Sequence, residues 1–156
     1  MIKILNLLTI SILIMTISSC SGDSETASDE KGEASKALYT DKKEAADPMN
    51  NKGIGPVSSV EMGEFNQVMA DEGKIIYDEK CTICHMLNKR YIGPAPAGIL
   101  ERRTPEWIMN MILNSEQMVA EDPIAKDLLK EFRSPMGNQS LTENEARKIL
   151  EYFRTL

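Results

Sequence analysis

The residues best equipped for chemistry are Cys81-Thr82-Ile83-Cys84-His85. Two thiols three positions apart, with a histidine directly after the second, form the attachment signature of a c-type haem. The cysteines add across the two haem vinyl groups as thioethers, and they sit one short turn apart along the porphyrin edge. The next residue then falls under the iron, where an imidazole nitrogen serves as the proximal ligand. Two other chemistries compete for a Cys-x-x-Cys pair. A redox dithiol of the thioredoxin type wants a βαβ setting, and no strand-like alternation surrounds this pair. A structural zinc site wants four ligands. The chain offers no histidine besides His85 and no cysteine besides Cys20.

A haem iron also needs a sixth ligand or an open face. One histidine excludes bis-histidine ligation within the chain, which leaves the methionine thioether as the natural candidate. Four methionines come after Met86, which is itself too close to His85 to reach the opposite face. Met109 and Met111 fall inside a helical pattern and read as core packing. Met118 reads as a loop residue and is the second candidate. Met136, in Ser134-Pro135-Met136-Gly137, is expected in a rigid turn between two helices, from which a side chain can project without breaking either. It is the expected sixth ligand.

The elements that must position these groups read as helices. Val68, Met69, Ile75 and Ile76 recur at helical spacing and predict an amphipathic helix ending just before Cys81. Gly73 inside it costs about 1 kcal/mol against alanine, which points to another helix crossing close to its backbone. Thr104-Pro105-Glu106 is a helix start, with an N-cap, a proline in the first position and an acid in the first turn. Trp107, Ile108, Met111 and Ile112 supply that helix's apolar side. Asp122-Pro123 opens another helix, with Ile124, Leu128, Leu129 and Phe132 turned inward. Thr142 to Glu145 forms a capping box ahead of Ala146, Ile149, Leu150 and Phe153.

Upstream of this head the composition changes twice. Met1-Ile2-Lys3 followed by the apolar run Ile4 to Ile17 is shorter than the about 20 residues of a membrane span and reads as a signal-peptide core over 1–19. Ile17-Ser18-Ser19-Cys20 resembles a bacterial lipobox, so Cys20 is the expected acylated residue. Acyl chains contribute about 0.8 kcal/mol per buried methylene, so more than one chain anchors durably. Residues 20–63 read as the lipidated cysteine and a flexible tether. Ser21 to Lys52 is poor in large apolar side chains and cannot offset its ordering entropy. At coil dimensions some forty residues span roughly 35 Å. Gly53-Ile54-Gly55-Pro56-Val57 is punctuation, with two apolar residues available to pack on the head. The head itself is expected over 64–156.

A head of about ninety residues lies near the lower limit for a self-sufficient core, so a covalently held porphyrin would complete it. The net charge of −6 and the lack of a basic stripe exclude nucleic acid binding. Lys89, Arg90, Arg102 and Arg103 flank Gly93-Pro94 and could form a positive rim that steers docking; ordinary solvated surface is the competing reading.

Taken together, Cys81-x-x-Cys84-His85, the helix with Gly73 and Tyr77, Gly93-Pro94, Met136, and a last helix with Tyr152 and Phe153 resemble a class I cytochrome c. The resemblance implies an all-α fold of about four short helices around one covalent haem c, with His85 and Met136 as axial ligands. It also implies that the Pro94 carbonyl accepts the proton on His85 Nδ1. Trp107 is the one tryptophan available to bond a haem propionate, with plain core packing as the competing reading. Gly137 stands where the commonest pattern of the family follows the methionine with proline, which loosens that turn.

The implied activity is one-electron transfer between redox proteins, with no small-molecule substrate and no catalytic residue. The alternative is a haem subunit of a larger oxidase or reductase, or a sensor or peroxidase-like haem protein with an open sixth site. Peroxidase work wants a distal histidine, which the chain lacks. More loosely, the layout is similar to lipoprotein cytochromes that accompany nitrous-oxide reductase in Bacteroidetes, a likeness resting on Arg102 to Trp107. The expected place is a membrane-anchored lipoprotein facing the periplasm or cell surface.

Overall fold

A computed structural model describes residues 47–156. The expected signal segment 1–19, the lipobox residue Cys20 and the tether through residue 46 lie outside the described residues. No helix among the described residues is long and apolar enough to cross a membrane.

Among the described residues, five α-helices and one 3-10 turn make up the regular structure: α1 Gln67–Lys80, the 3-10 turn Ile99–Glu101, α2 Pro105–Leu113, α3 Ser115–Glu121, α4 Pro123–Phe132 and α5 Glu143–Phe153. Among the described residues the β-structure amounts to one isolated bridge, Met86 to Lys89. The all-α expectation holds.

The helix starts obey local chemistry. Asn66, Thr104, Asp122 and Thr142 each accept a backbone N–H from the first turn of the adjoining helix, and Pro105 and Pro123 occupy first positions where no donor is missed. The capping box forms as expected, with Glu145 reaching back to the Thr142 backbone N–H at 2.8 Å. Residues 115–121 differ from expectation, because they form α3. Asn114 and, three residues on, Gln117 form a helix-start pattern, although the Asn114 side chain makes no capping bond.

α1 and α5 cross in close contact. A Cβ on Gly73 would lie 2.9 Å from the Ile149 backbone nitrogen and closer still to the Lys148 carbonyl. Small residues let the two backbones approach, so α1 buries Ala70, Gly73 and Tyr77, while Val68 and Ile75 stand 68% and 60% exposed. The face expected from large apolar residues is therefore displaced around the helix. Tyr77 then meets Tyr152 and Phe153 with ring centroids 5.5 and 5.8 Å away, geometries that favour aromatic pairs. Ala146, Ile149 and Leu150 of α5 and Trp107, Ile108, Met109 and Ile112 of α2 continue this core. On α4 the fully buried residue is Ala125, and the expected inward set Ile124, Leu128, Leu129 and Phe132 is half-buried throughout.

Residues 51–62, expected as the end of the tether, are laid across the helices by buried polar side chains. Asn110 accepts the Val57 N–H at 3.0 Å and donates to the Lys52 and Val57 carbonyls, both at 2.9 Å. Glu106 accepts the Val60 N–H and pairs with Lys52 at 3.3 Å. Asp122 accepts from Asn51 at 2.6 Å. Each bond satisfies a polar group that would otherwise be buried unpaired, so the packed structure begins upstream of Glu64.

Candidate haem site

Cys81 caps α1, its N–H reaching the Tyr77 carbonyl at 2.9 Å. The chain then tightens: Cys84 and His85 both donate to the Cys81 carbonyl, at 3.0 and 2.8 Å. The two thiols and the imidazole thus belong to one short turn, as the motif requires. Both cysteines are free and half-buried.

Burial first, and then the neighbouring Cys84, push the Cys81 thiol up to about 11. A nucleophilic redox dithiol works with a lowered value, the opposite direction from Cys81. Among the described residues no group of three or more His, Cys, Asp or Glu side chains gathers to hold a metal ion, which gives the zinc reading no support.

His85 is held from three sides. Its Nδ1 lies 2.7 Å from the Pro94 carbonyl, which makes Nδ1 the protonated nitrogen and leaves Nε2 its lone pair. A Cβ on Gly93 would come within 2.8 Å of Nδ1 and 3.0 Å of Nε2, so the ring packs directly against the glycine backbone. The Gly93 N–H in turn donates to the Cys84 carbonyl at 2.8 Å. The third contact is Tyr77, whose hydroxyl donates to the His85 carbonyl at 2.8 Å. Burial raises the Tyr77 phenol well above its ordinary value, so it remains a donor. Nothing in the motif announced this tyrosine bond; its one sequence signal is an aromatic residue one turn before Cys81.

The donor set therefore suits haem iron: an imidazole with one nitrogen fixed and the other available, next to two thiols that are not paired with each other. The match to known families agrees. Residues 70–156 match the family Cytochrome c. The chain belongs to the cytochrome c family. Its members carry haem for electron transfer, and this small domain takes one covalent c-type haem.

Solved structures place the domain further. It is similar to the cytochrome c from Rhodothermus marinus, with 39% identity, 65% of this chain and 88% of that chain covered, and a TM-score of 0.64. An engineered form of that protein aligns with 38% identity over 65% of this chain and 89% of its own, at a TM-score of 0.63. The cytochrome c domain of a Pseudomonas putida protein aligns at 27% identity, over 53% of this chain and 85% of that one, with a TM-score of 0.50. No curated protein matches the chain.

The remaining expected site residues fall in different places. Met136 is half-buried against the core in the irregular stretch between α4 and α5. That stretch is not the rigid turn expected: residues 134–141 make no backbone–backbone hydrogen bond among the described residues. Met118 is fully buried in α3, and its Sδ lies 3.0 Å from the Ile54 N–H, which takes it out of contention as a ligand. Trp107 is buried, and its indole N–H donates to Asp122 at 3.1 Å. Its one donor is thus committed inside the core.

The expected basic rim is mostly engaged. Arg90 pairs with Glu131, Arg102 donates to the Ala95 carbonyl at 3.1 Å, and Arg103 bonds the Arg102 carbonyl and lies 5.2 Å from the Trp107 ring centroid. Lys89 forms no ion pair among the described residues.

Proposed function

We propose that this cytochrome c is a one-electron carrier with His85 and Met136 as axial ligands and Cys81 and Cys84 as thioether attachments. When bound, haem held by an imidazole and a thioether exchanges one electron with little rearrangement, at a potential raised by the sulfur. The chain's own work is positional. Pro94 and Gly93 fix the imidazole plane, Tyr77 fixes the peptide that carries it, and the buried Tyr77, Tyr152 and Phe153 cluster keeps water from that side.

The observation that carries this reading is the Pro94 carbonyl on His85 Nδ1, because it leaves Nε2 as the ligating nitrogen. Support for Met136 is by contrast with its rivals. Met109 and Met118 are buried in helices and Met111 is carried by α2, whereas Met136 lies in the irregular stretch between α4 and α5. Apolar side chains beside the attachment turn suit contact with a redox partner: Ile83, Tyr91 and Ile92 are 74%, 50% and 42% exposed. Acylation at Cys20 would hold the domain at a membrane, facing the periplasm or cell surface, within reach of a respiratory reductase or oxidase. Nitrous-oxide reductase is the acceptor suggested by the likeness at Arg102 to Trp107.

Visible spectra of the purified holoprotein and of Met136→Ala test the coordination. The expected result is a weak long-wavelength ferric band in the parent that the variant lacks, a lower midpoint potential in the variant, and carbon monoxide binding to its ferrous form. An unchanged spectrum and potential in the variant, or prompt carbon monoxide binding by the parent, would overturn the His/Met assignment in favour of an open-site haem protein. Mass spectrometry of membrane extracts tests the anchor; a mature chain starting elsewhere than Cys20 removes it.

A further inference from the structure

Arg90 bridges the two segments assigned to the iron. It lies in the loop between His85 and Pro94, flanked by the Tyr91 N–H bond to the Gly93 carbonyl. From there it reaches the end of α4, 41 residues away. One guanidinium nitrogen pairs with the Glu131 carboxylate, the other donates to the Glu131 backbone carbonyl at 2.9 Å, and the plane lies 4.1 Å from the Phe132 ring centroid. The Glu131 carbonyl belongs to the last turn of α4, where carbonyls lack helical partners and the dipole favours a cation.

The segment just beyond α4 gives the contact its meaning. Residues 134–141 have no backbone–backbone hydrogen bonds of their own, and their two local side-chain bonds, the Ser140 N–H to Asn138 and Gln139 to the Gly137 carbonyl, stay within the segment, so Met136 is located by its anchors and by its own packing. The downstream anchor is the Thr142 capping box. The upstream anchor is the last turn of α4, which Arg90 ties to the histidine loop.

We infer that Arg90 is a latch that holds the Met136 segment closed over the iron, and that its release sets how readily an outside ligand replaces Met136. Arg90 is a positioning residue in this scheme. The inference rests on the His/Met reading above. The Arg90 and Glu131 side chains are 55% and 54% exposed, so the ion pair alone is weak; the carbonyl bond and the stacked ring make the contact more than a surface pair.

The test is the rate at which added imidazole displaces the sixth ligand of the ferric holoprotein, followed in the visible spectrum. Arg90→Gln and Glu131→Gln are each compared with the parent. Lys130→Gln, which breaks an exposed pair with Asp127 within the same helix, is the control. Displacement in Arg90→Gln is expected to be about fivefold faster, the scale of one charge-assisted bond plus one cation–π contact. Glu131→Gln should be intermediate, because the backbone carbonyl and ring remain, and Lys130→Gln should match the parent.

Amide hydrogen exchange reads the latch without the iron: the last turn of α4 should exchange faster in Arg90→Gln, while the α1 and α5 crossing is unchanged. Faster exchange there with an unchanged displacement rate overturns the inference, as does an equal rate increase in Lys130→Gln. Failure of the His/Met reading looks different: Met136→Ala then has the parent's spectrum and the parent's imidazole rate.

Discussion

Between Cys81 and Pro94 the chain is tied back on itself repeatedly, whereas between Ser134 and Leu141 no backbone group bonds another. His85 has its ring on Gly93, its Nδ1 on Pro94 and its carbonyl on Tyr77. Met136 has packing against the core and two distant anchors. The histidine is thus pre-set by local bonds, and Met136, the proposed second ligand, is held at arm's length by its neighbours. The difference suits a histidine that stays oriented by its own turn, while the Met136 segment takes its place only when the helices on either side of it are in place. It also predicts where substitutions will hurt.

Gly93→Ala should have the largest effect. The added methyl would sit within 2.8 Å of Nδ1, and the ring cannot retreat without losing the Pro94 bond. Overpacking of this kind costs about 3 kcal/mol, read as urea unfolding of the holoprotein, together with lower haem incorporation. A variant as stable and as fully loaded as the parent would mean that the histidine side is looser than it looks.

Next in size is Glu151, which ties α5 to the start of α1, the end of that helix away from the histidine. Its side chain is fully buried, accepts the Asn66 N–H at the start of α1, and meets Arg147 and Arg154 at 2.6 and 2.9 Å. Burial alone would push its carboxyl up, but the Asn66 N–H and the two guanidiniums win and hold it below the ordinary carboxylate value. A folded value below the unfolded one stabilises at pH above the unfolded value, and the gain disappears as pH falls through the folded one. Glu151→Gln should therefore cost about 2 kcal/mol near neutrality, and its stability should fall less steeply than the parent's between the ordinary carboxylate range and more acid pH. Parallel acid limbs in the two proteins would remove Glu151 from the account.

Tyr77→Phe is a smaller change. It keeps the aromatic cluster and deletes the hydroxyl that satisfies the His85 carbonyl. A loss of about 1 kcal/mol is expected, measured by urea unfolding with the visible spectrum retained. No loss would show that water replaces the tyrosine without cost, and that the histidine peptide needs no such support.

These sites differ in how plainly the sequence displays them. The attachment motif and the helix starts at Thr104, Asp122 and Thr142 are local chemistry, complete within a few residues, and they read directly. The buried face of α1 is not local. It comes from the approach of α5 some seventy residues away, which selects Ala70 and Gly73 and leaves Val68 and Ile75 outside. α3 is short and lacks a capping bond, and its start pattern at Asn114 and Gln117 directly follows α2, which hides it as a continuation. Residues 51–62 look like tether by composition because what holds them lies elsewhere. Asn110 offers the one hint, a polar side chain in the middle of the apolar run from Trp107 to Ile112, where it serves the backbone of a distant segment. The Met136 stretch is the reverse case: Pro135 and Gly137 predict a turn, and the chain there makes none.

That last stretch supplies the smallest and most discriminating expectation. Gly137 is the counterpart of Gly93 on the methionine side, yet the nearest atom to an added Cβ is Gln139 Nε2 at 3.9 Å, ordinary contact distance. Its φ does not lie in the left-handed region, unlike those of Gly53, Gly63 and Gly98. Alanine there meets no clash and narrows the unfolded chain's freedom, so Gly137→Ala should leave stability unchanged or raise it by about 0.5 kcal/mol. The imidazole displacement rate should stay at the parent's value, because the anchors at Glu131 and Thr142 are untouched. The same one-methyl change would then be severe under the histidine and silent beside the methionine. A loss comparable to that of Gly93→Ala would mean that the methionine segment is as tightly determined as the histidine turn, and the contrast between them would fail.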